Sequence, residues 1–67
     1  PKALADLMRT HNVSVSDIQI VVGERGYYPA DTPVVNYDPG FIQGVLIGAW
    51  EQVHEMIKQN KLDEIPF

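Results

Sequence analysis

Asp38-Pro39-Gly40-Phe41-Ile42-Gln43-Gly44-Val45-Leu46-Ile47-Gly48-Ala49-Trp50-Glu51-Gln52-Val53-His54-Glu55-Met56-Ile57-Lys58-Gln59-Asn60-Lys61 is the stretch on which the fold turns. Its first two residues read as a helix start. Aspartate is a favoured N-cap, because its carboxylate accepts from first-turn amides, and proline suits the first helical position, where no intrahelical donor is needed. Beyond them Ile42, Leu46, Ala49, Val53 and Met56 recur four and three apart. Phe41, Val45, Trp50 and Ile57 widen that stripe into a broad apolar face. The pattern predicts one long helix over residues 39–60, running to about Lys61. Gly44 and Gly48 lie on one side of it, and each costs about 1 kcal/mol in a helix interior. Their spacing predicts that another segment packs very close there, most simply the preceding connection or the first helix.

Toward the N-terminus, residues 27–38 break the helical pattern. Pro29 and Pro33 each remove a backbone donor and fix φ, and they push Tyr28 and Thr32 toward extended geometry. The expectation is an ordered extended connection, pinned to the core by Tyr27, Tyr28, Tyr37, Val34 and Val35, since so long a connection needs packing of its own. Before it, Ser14-Val15-Ser16-Asp17 reads as a short-armed capping box. Val15, Ile18, Val21 and Val22 then share a helical face, ended by Gly23 or Gly26. The run Ile18 to Val22 also has strand-like β-branched content, but the capping signal favours a helix. Leu4, Leu7 and Met8 mark a first helix that His11-Asn12 ends. The fold class expected is mainly α: three helices near residues 3–10, 14–24 and 39–60, with a Pro/Tyr-rich connection before the last.

The chain has 67 residues, one domain at most, and a core that small leaves a thin stability margin. No cysteine is present, which excludes disulfides and Cys-based zinc sites and suits a reducing cytoplasm. The 45% hydrophobic content argues against disorder. No apolar run approaches a membrane span, and no signal peptide is visible. Five basic and nine acidic residues give a net charge of −4. Because phosphate contacts supply much of the affinity for DNA, direct nucleic-acid binding by this chain alone is not expected. The first two helices have the size of a helix-turn-helix, yet helix two offers Asp17, Gln19, Glu24 and Arg25, a poor set for reading a groove. Tyr27, Tyr28 and Tyr37 could stack on bases, against the simpler role of stapling the connection down.

Enzymatic constellations are weak. His11 and His54 are the only histidines. His54 with Glu51 or Glu55 could hold a metal, but a solvated polar helix face is the favoured reading, and His11 reads as an exposed loop residue or a local cap. Ser14 and Ser16 are accounted for as helix-start residues rather than nucleophiles. Gly23-Glu24-Arg25-Gly26 lacks the Gly-Lys-Ser/Thr ending of a phosphate loop. No catalytic residue, metal or cofactor is expected.

The most informative segment is Asp63-Glu64-Ile65-Pro66-Phe67. Pro66 stops any helix and pre-orders the last residues. Phe67 joins a ring worth burying to a carboxylate that an arginine could clamp, a recognised mode of peptide capture. Ile65 is a second apolar anchor, and Asp63 and Glu64 would steer the segment to a basic rim. The alternative is that Ile65 and Phe67 fold back onto the core. The segment resembles the acidic tip of bacterial single-stranded DNA-binding proteins, acids followed by Ile-Pro-Phe or Leu-Pro-Phe. That tip recruits replication, recombination and repair proteins. The resemblance covers five residues, with two acids in place of a longer acidic run. The body, through Gly26-Tyr27-Tyr28-Pro29, Asn36-Tyr37-Asp38 and the Gly44/Gly48 helix, is similar to small domains at the ends of phage recombination and replication proteins. Together these imply a cytoplasmic, non-enzymatic interaction domain: a helical body over residues 1–61 and a docking tail over 62–67. The partner would carry a basic, apolar pocket. An alternative is a small acidic inhibitor or nucleic-acid mimic that blocks a basic enzyme cleft.

Overall fold

A computed structural model describes residues 2–63. The described chain is mainly helical: α1 (Lys2–Thr10), α2 (Val15–Glu24), a 3₁₀ turn (Val34–Asn36), a short α3 (Pro39–Phe41), a π-helical segment (Ile42–Ile47) and α4 (Trp50–Asp63). Among these residues no helix is long and apolar enough to cross a membrane.

The local signals act through hydrogen bonds. Asn12 takes a left-handed φ of 56°. The Val13 amide then reaches back to the Met8 carbonyl at 2.8 Å and the Asn12 amide to Arg9 at 3.3 Å, which satisfies the orphan carbonyls of α1. Ser14 opens α2 with a complete capping box: its hydroxyl accepts from the Asp17 amide at 3.1 Å, and the Asp17 carboxylate accepts from the Ser14 amide at 3.0 Å. Gly26, at φ 76°, ends α2 by the same pair of back-bonds, Tyr27 N–H to Val22 at 3.1 Å and Gly26 N–H to Gly23 at 3.1 Å. Asp38 caps α3 as expected, accepting from Gly40 and Phe41 at 2.9 and 3.2 Å.

The C-terminal helix is not one regular cylinder. Residues Ile42–Ile47 form a π-helical stretch, continued by a Gly48 amide that donates to Gln43, five residues back, at 3.0 Å. A π turn holds one residue more than an α turn. Past that stretch Trp50, Val53 and Ile57 are buried, as their place on the apolar face implied, while Ala49 and Met56 on the same face are half-buried.

The reading of the glycines is corrected. A Cβ at Gly44 would meet nothing within 4 Å. A Cβ at Gly48 would strike its own helix, 2.7 Å from the Gly44 carbonyl oxygen. The close approach lies elsewhere: a Cβ at Gly23 would sit 2.9 Å from the Ala30 Cβ, so the connection packs onto α2.

The connection is folded rather than extended. Thr32 N–H closes a turn onto Pro29 at 3.0 Å, and Val34–Asn36 form the 3₁₀ turn. Gln19 Nε2 ties it to α2 through the Thr32 carbonyl at 2.9 Å. Val34 packs on the core, but Val35 is 89% exposed and pins nothing. The core proper is Leu4, Val13, Ile18, Val21, Val22, Tyr37, Ile42, Leu46, Trp50, Val53 and Ile57, with no buried charge among them.

Candidate functional site

The segment singled out from the sequence begins at Asp63, the last residue of α4. The last turns of α4 are tied to α2. Lys61 Nζ lies 3.1 Å from Asp17 Oδ2, Asn60 Nδ2 donates to Glu24 Oε1 at 3.2 Å, and the Arg25 guanidinium donates to Met56 Sδ at 3.0 and 2.8 Å. These contacts tie both ends of α2 to the C-terminal half of α4. Past them Leu62 is 56% exposed and Asp63 is exposed, both still helical. Of the five sequence-predicted site residues, Asp63 alone is described; Glu64, Ile65, Pro66 and Phe67 lie outside the described residues.

Acidic groups elsewhere are largely engaged. Asp6 pairs with Arg9, Glu55 with Lys58 at 3.3 Å, Asp17 with Lys61, and Asp38 caps α3. Burial pushes the Asp17 carboxyl up. The Ser14 amide and then Lys61 outweigh that effect and hold it below its ordinary value near 3.8. Hydrogen bonds from Gln59 and Lys58 lower Glu55.

The tyrosines staple. Tyr28 and Tyr37 stack with centroids 4.5 Å apart at 16°, and both meet the Phe41 ring edge-on at 5.1 and 5.6 Å. The Tyr28 hydroxyl accepts from the Asp38 amide at 3.0 Å. Tyr37 is 3% exposed, and desolvation, then Tyr28, raises its phenol above the ordinary value. Tyr27 packs on Phe41 at 5.1 Å and keeps an open face. Beside it a groove of about 280 Å³ runs between α2 and the π segment, lined by Val21, Arg25, Tyr27, Gly44, Ala49 and Met56 among others. Gly44 opens onto that groove, which explains the space around it.

One cluster had no signature in sequence. His11, at the end of α1, and His54, on α4, meet with ring centroids 4.6 Å apart and planes at 53°. Both rest on Trp50: His54 lies parallel to the indole at 7° and 6.0 Å, and His11 is tilted at 5.6 Å. Desolvation, then the His11 and Lys58 charges, lowers His54 below its ordinary value near 6.5; Glu55 opposes them and Lys61 adds to them. His11 is held there by the turn, its amide donating to the Leu7 carbonyl at 3.0 Å. The partners are far apart in sequence, so only the packing of α1 against the C-terminal helix brings them together. Among the described residues no group of three or more histidine, aspartate and glutamate side chains is placed to hold a metal.

Compared with protein-family models, curated proteins and solved structures, the chain has no significant match.

Proposed function

We propose that this chain is a non-enzymatic interaction domain of a phage or bacterial DNA replication or recombination protein. It docks onto partners through Asp63-Glu64-Ile65-Pro66-Phe67. The observation that carries the reading is chemical: two acids followed by Ile-Pro-Phe, in the pattern of the single-stranded DNA-binding-protein tip, placed after a helix whose last described residues are exposed. A partner with a basic rim and an apolar pocket would take the Phe67 ring as anchor and Ile65 as second contact, while Asp63 and Glu64 speed association. The ion pairing of Asp6, Asp17 and Glu55 weighs against the nucleic-acid-mimic alternative, which needs its acids free on one face.

The test is capture from bacterial extract by the 67-residue chain, by a chain lacking Ile65, Pro66 and Phe67, and by one with a glycine appended. Free Asp-Glu-Ile-Pro-Phe peptide serves as competitor. Loss of a captured protein on truncation and on peptide competition is expected, with thermal melts unchanged. Capture that ignores both would remove the docking reading. A sharp drop in melting temperature on truncation would show the segment to be core. Undiminished binding by the glycine extension would remove the carboxylate clamp alone.

A further inference from the structure

We infer that His11 and His54 form a two-imidazole site for a divalent transition metal of the copper or nickel type, bridging the end of α1 and α4. A metal–nitrogen bond of roughly 2.0–2.1 Å puts the metal roughly 3.2 Å from each ring centroid. Two imidazoles bound cis to one metal would hold their centroids roughly 4.5 Å apart, and the 4.6 Å separation of His11 and His54 matches that requirement. The ligands are suited to the ion. Imidazole binds these metals as the neutral base, and burial, the largest influence on His54, favours that form. His11 is exposed and His54 half-buried, so the remaining coordination positions are open to water. Both ligands are seated on structured backbone, one at a helix stop and one inside α4. A metal here would tie together two elements far apart in sequence and so favour the folded state.

The sole tryptophan reports the site, because Trp50 lies within 6.0 Å of both rings and copper and nickel ions quench indole emission. The experiment titrates untagged 67-residue chain at pH 7.5 with copper(II) chloride and, separately, nickel(II) chloride, following Trp50 fluorescence and the melting temperature. Variants His11→Gln and His54→Gln run in parallel. Expected is saturable one-to-one quenching, reversed by chelator, a higher melting temperature with metal, and an affinity at least about tenfold weaker in each variant, since losing even an outer-shell partner of a ligand costs that much. Linear, unsaturable quenching would overturn the proposal and leave the rings an aromatic stack only. So would saturation unaltered by His11→Gln, which would place the metal elsewhere. His11 is exposed, so its variant keeps the test decisive if His54→Gln folds poorly.

Discussion

Gly44 and Gly48 stand four apart on one helix, and alanine at the two positions should act with opposite signs. At Gly44 an added Cβ meets nothing within 4 Å, so the substitution removes the entropic cost of glycine and adds no clash. That gain is about 0.5–1 kcal/mol in a helical interior. At Gly48 the same methyl lies 2.7 Å from the Gly44 oxygen and 3.1 Å from the Gln43 oxygen. Both are backbone atoms of the same turn and cannot rotate away. Relief requires tightening the π segment toward α geometry, which breaks the Gly48 to Gln43 bond and disturbs the packing of Trp50 just beyond it. Overpacking of this kind costs about 1–3 kcal/mol. For a domain this size 1 kcal/mol moves the melting temperature by about 4–8 °C. Circular-dichroism melts should therefore place Gly44→Ala about 2–8 °C above the parent and Gly48→Ala at least about 4 °C below it. Shifts of the same sign would refute the tight π-turn geometry at Gly48, and a destabilised Gly44→Ala would mean that the groove beside it is filled.

The other predictions concern the core and two titrating groups. Trp50, 8% exposed and beneath both histidines, should cost about 3–5 kcal/mol on Trp50→Ala; a denaturant midpoint close to the parent's would contradict its place in the core. Asp17 has a lowered folded pKa, so its contribution is present above the ordinary value near 3.8 and is lost as pH falls through and below it. Melts from pH 5 to pH 2.5 should fall more steeply for the parent than for Asp17→Asn, and parallel curves would remove that role. His54 also has a lowered folded pKa, so the unfolded chain takes up its proton first. Stability should drop as pH falls from about 6.5 toward the lower folded value. The charged neighbours of His54 are His11, Lys58 and Lys61, with Glu55 opposing. His54→Gln should flatten the pH 7 to 5 segment of the curve, and an unchanged slope there would count against the crowding of the two rings.

Much of the fold was legible because it is written in short-range chemistry. The Ser14–Asp17 box, the Asp38-Pro39 start and the Asn12 and Gly26 stops each involve groups within a few residues, and each forms the predicted bonds. The departures sit where the outcome depends on the whole turn or on another element. Apolar residues at 42, 46, 49, 50, 53, 56 and 57 serve an α or a π-interrupted helix equally well, so the broad face read from spacing contains Trp50 and Ile57 but does not say that they sit deeper than Ala49 and Met56. That depth follows from which side chains fill the space against α2 and α1, and the large indole does so better than a methyl group. The glycines were misread for a related reason: spacing reports that a side chain is missing, not which neighbour makes use of the gap. Gly23, with Ala30 against it, is the true close approach.

The two functional candidates differ in the same way. The docking segment is contiguous, so its chemistry is readable one residue after another, and its reading rests on acid, aromatic ring and proline rather than on any contact with the body. The histidine pair is a product of tertiary packing. His11 in a turn and His54 on a charged helix face each read as a solvated side chain, and a metal reading confined to α4 looked only to Glu51 and Glu55. Glu55 is in fact engaged by Lys58 and Gln59. The ring that faces His54 comes from the end of α1, placed there by the Asn12 stop that the sequence does predict. A helix-stop signal thus has a long-range consequence: by fixing where α1 ends, it fixes which side chain lies over Trp50. Shifting that stop, as Asn12→Val would by penalising its positive φ, should loosen the His11–His54 pair while leaving the capping of α2 and the end of α4 intact.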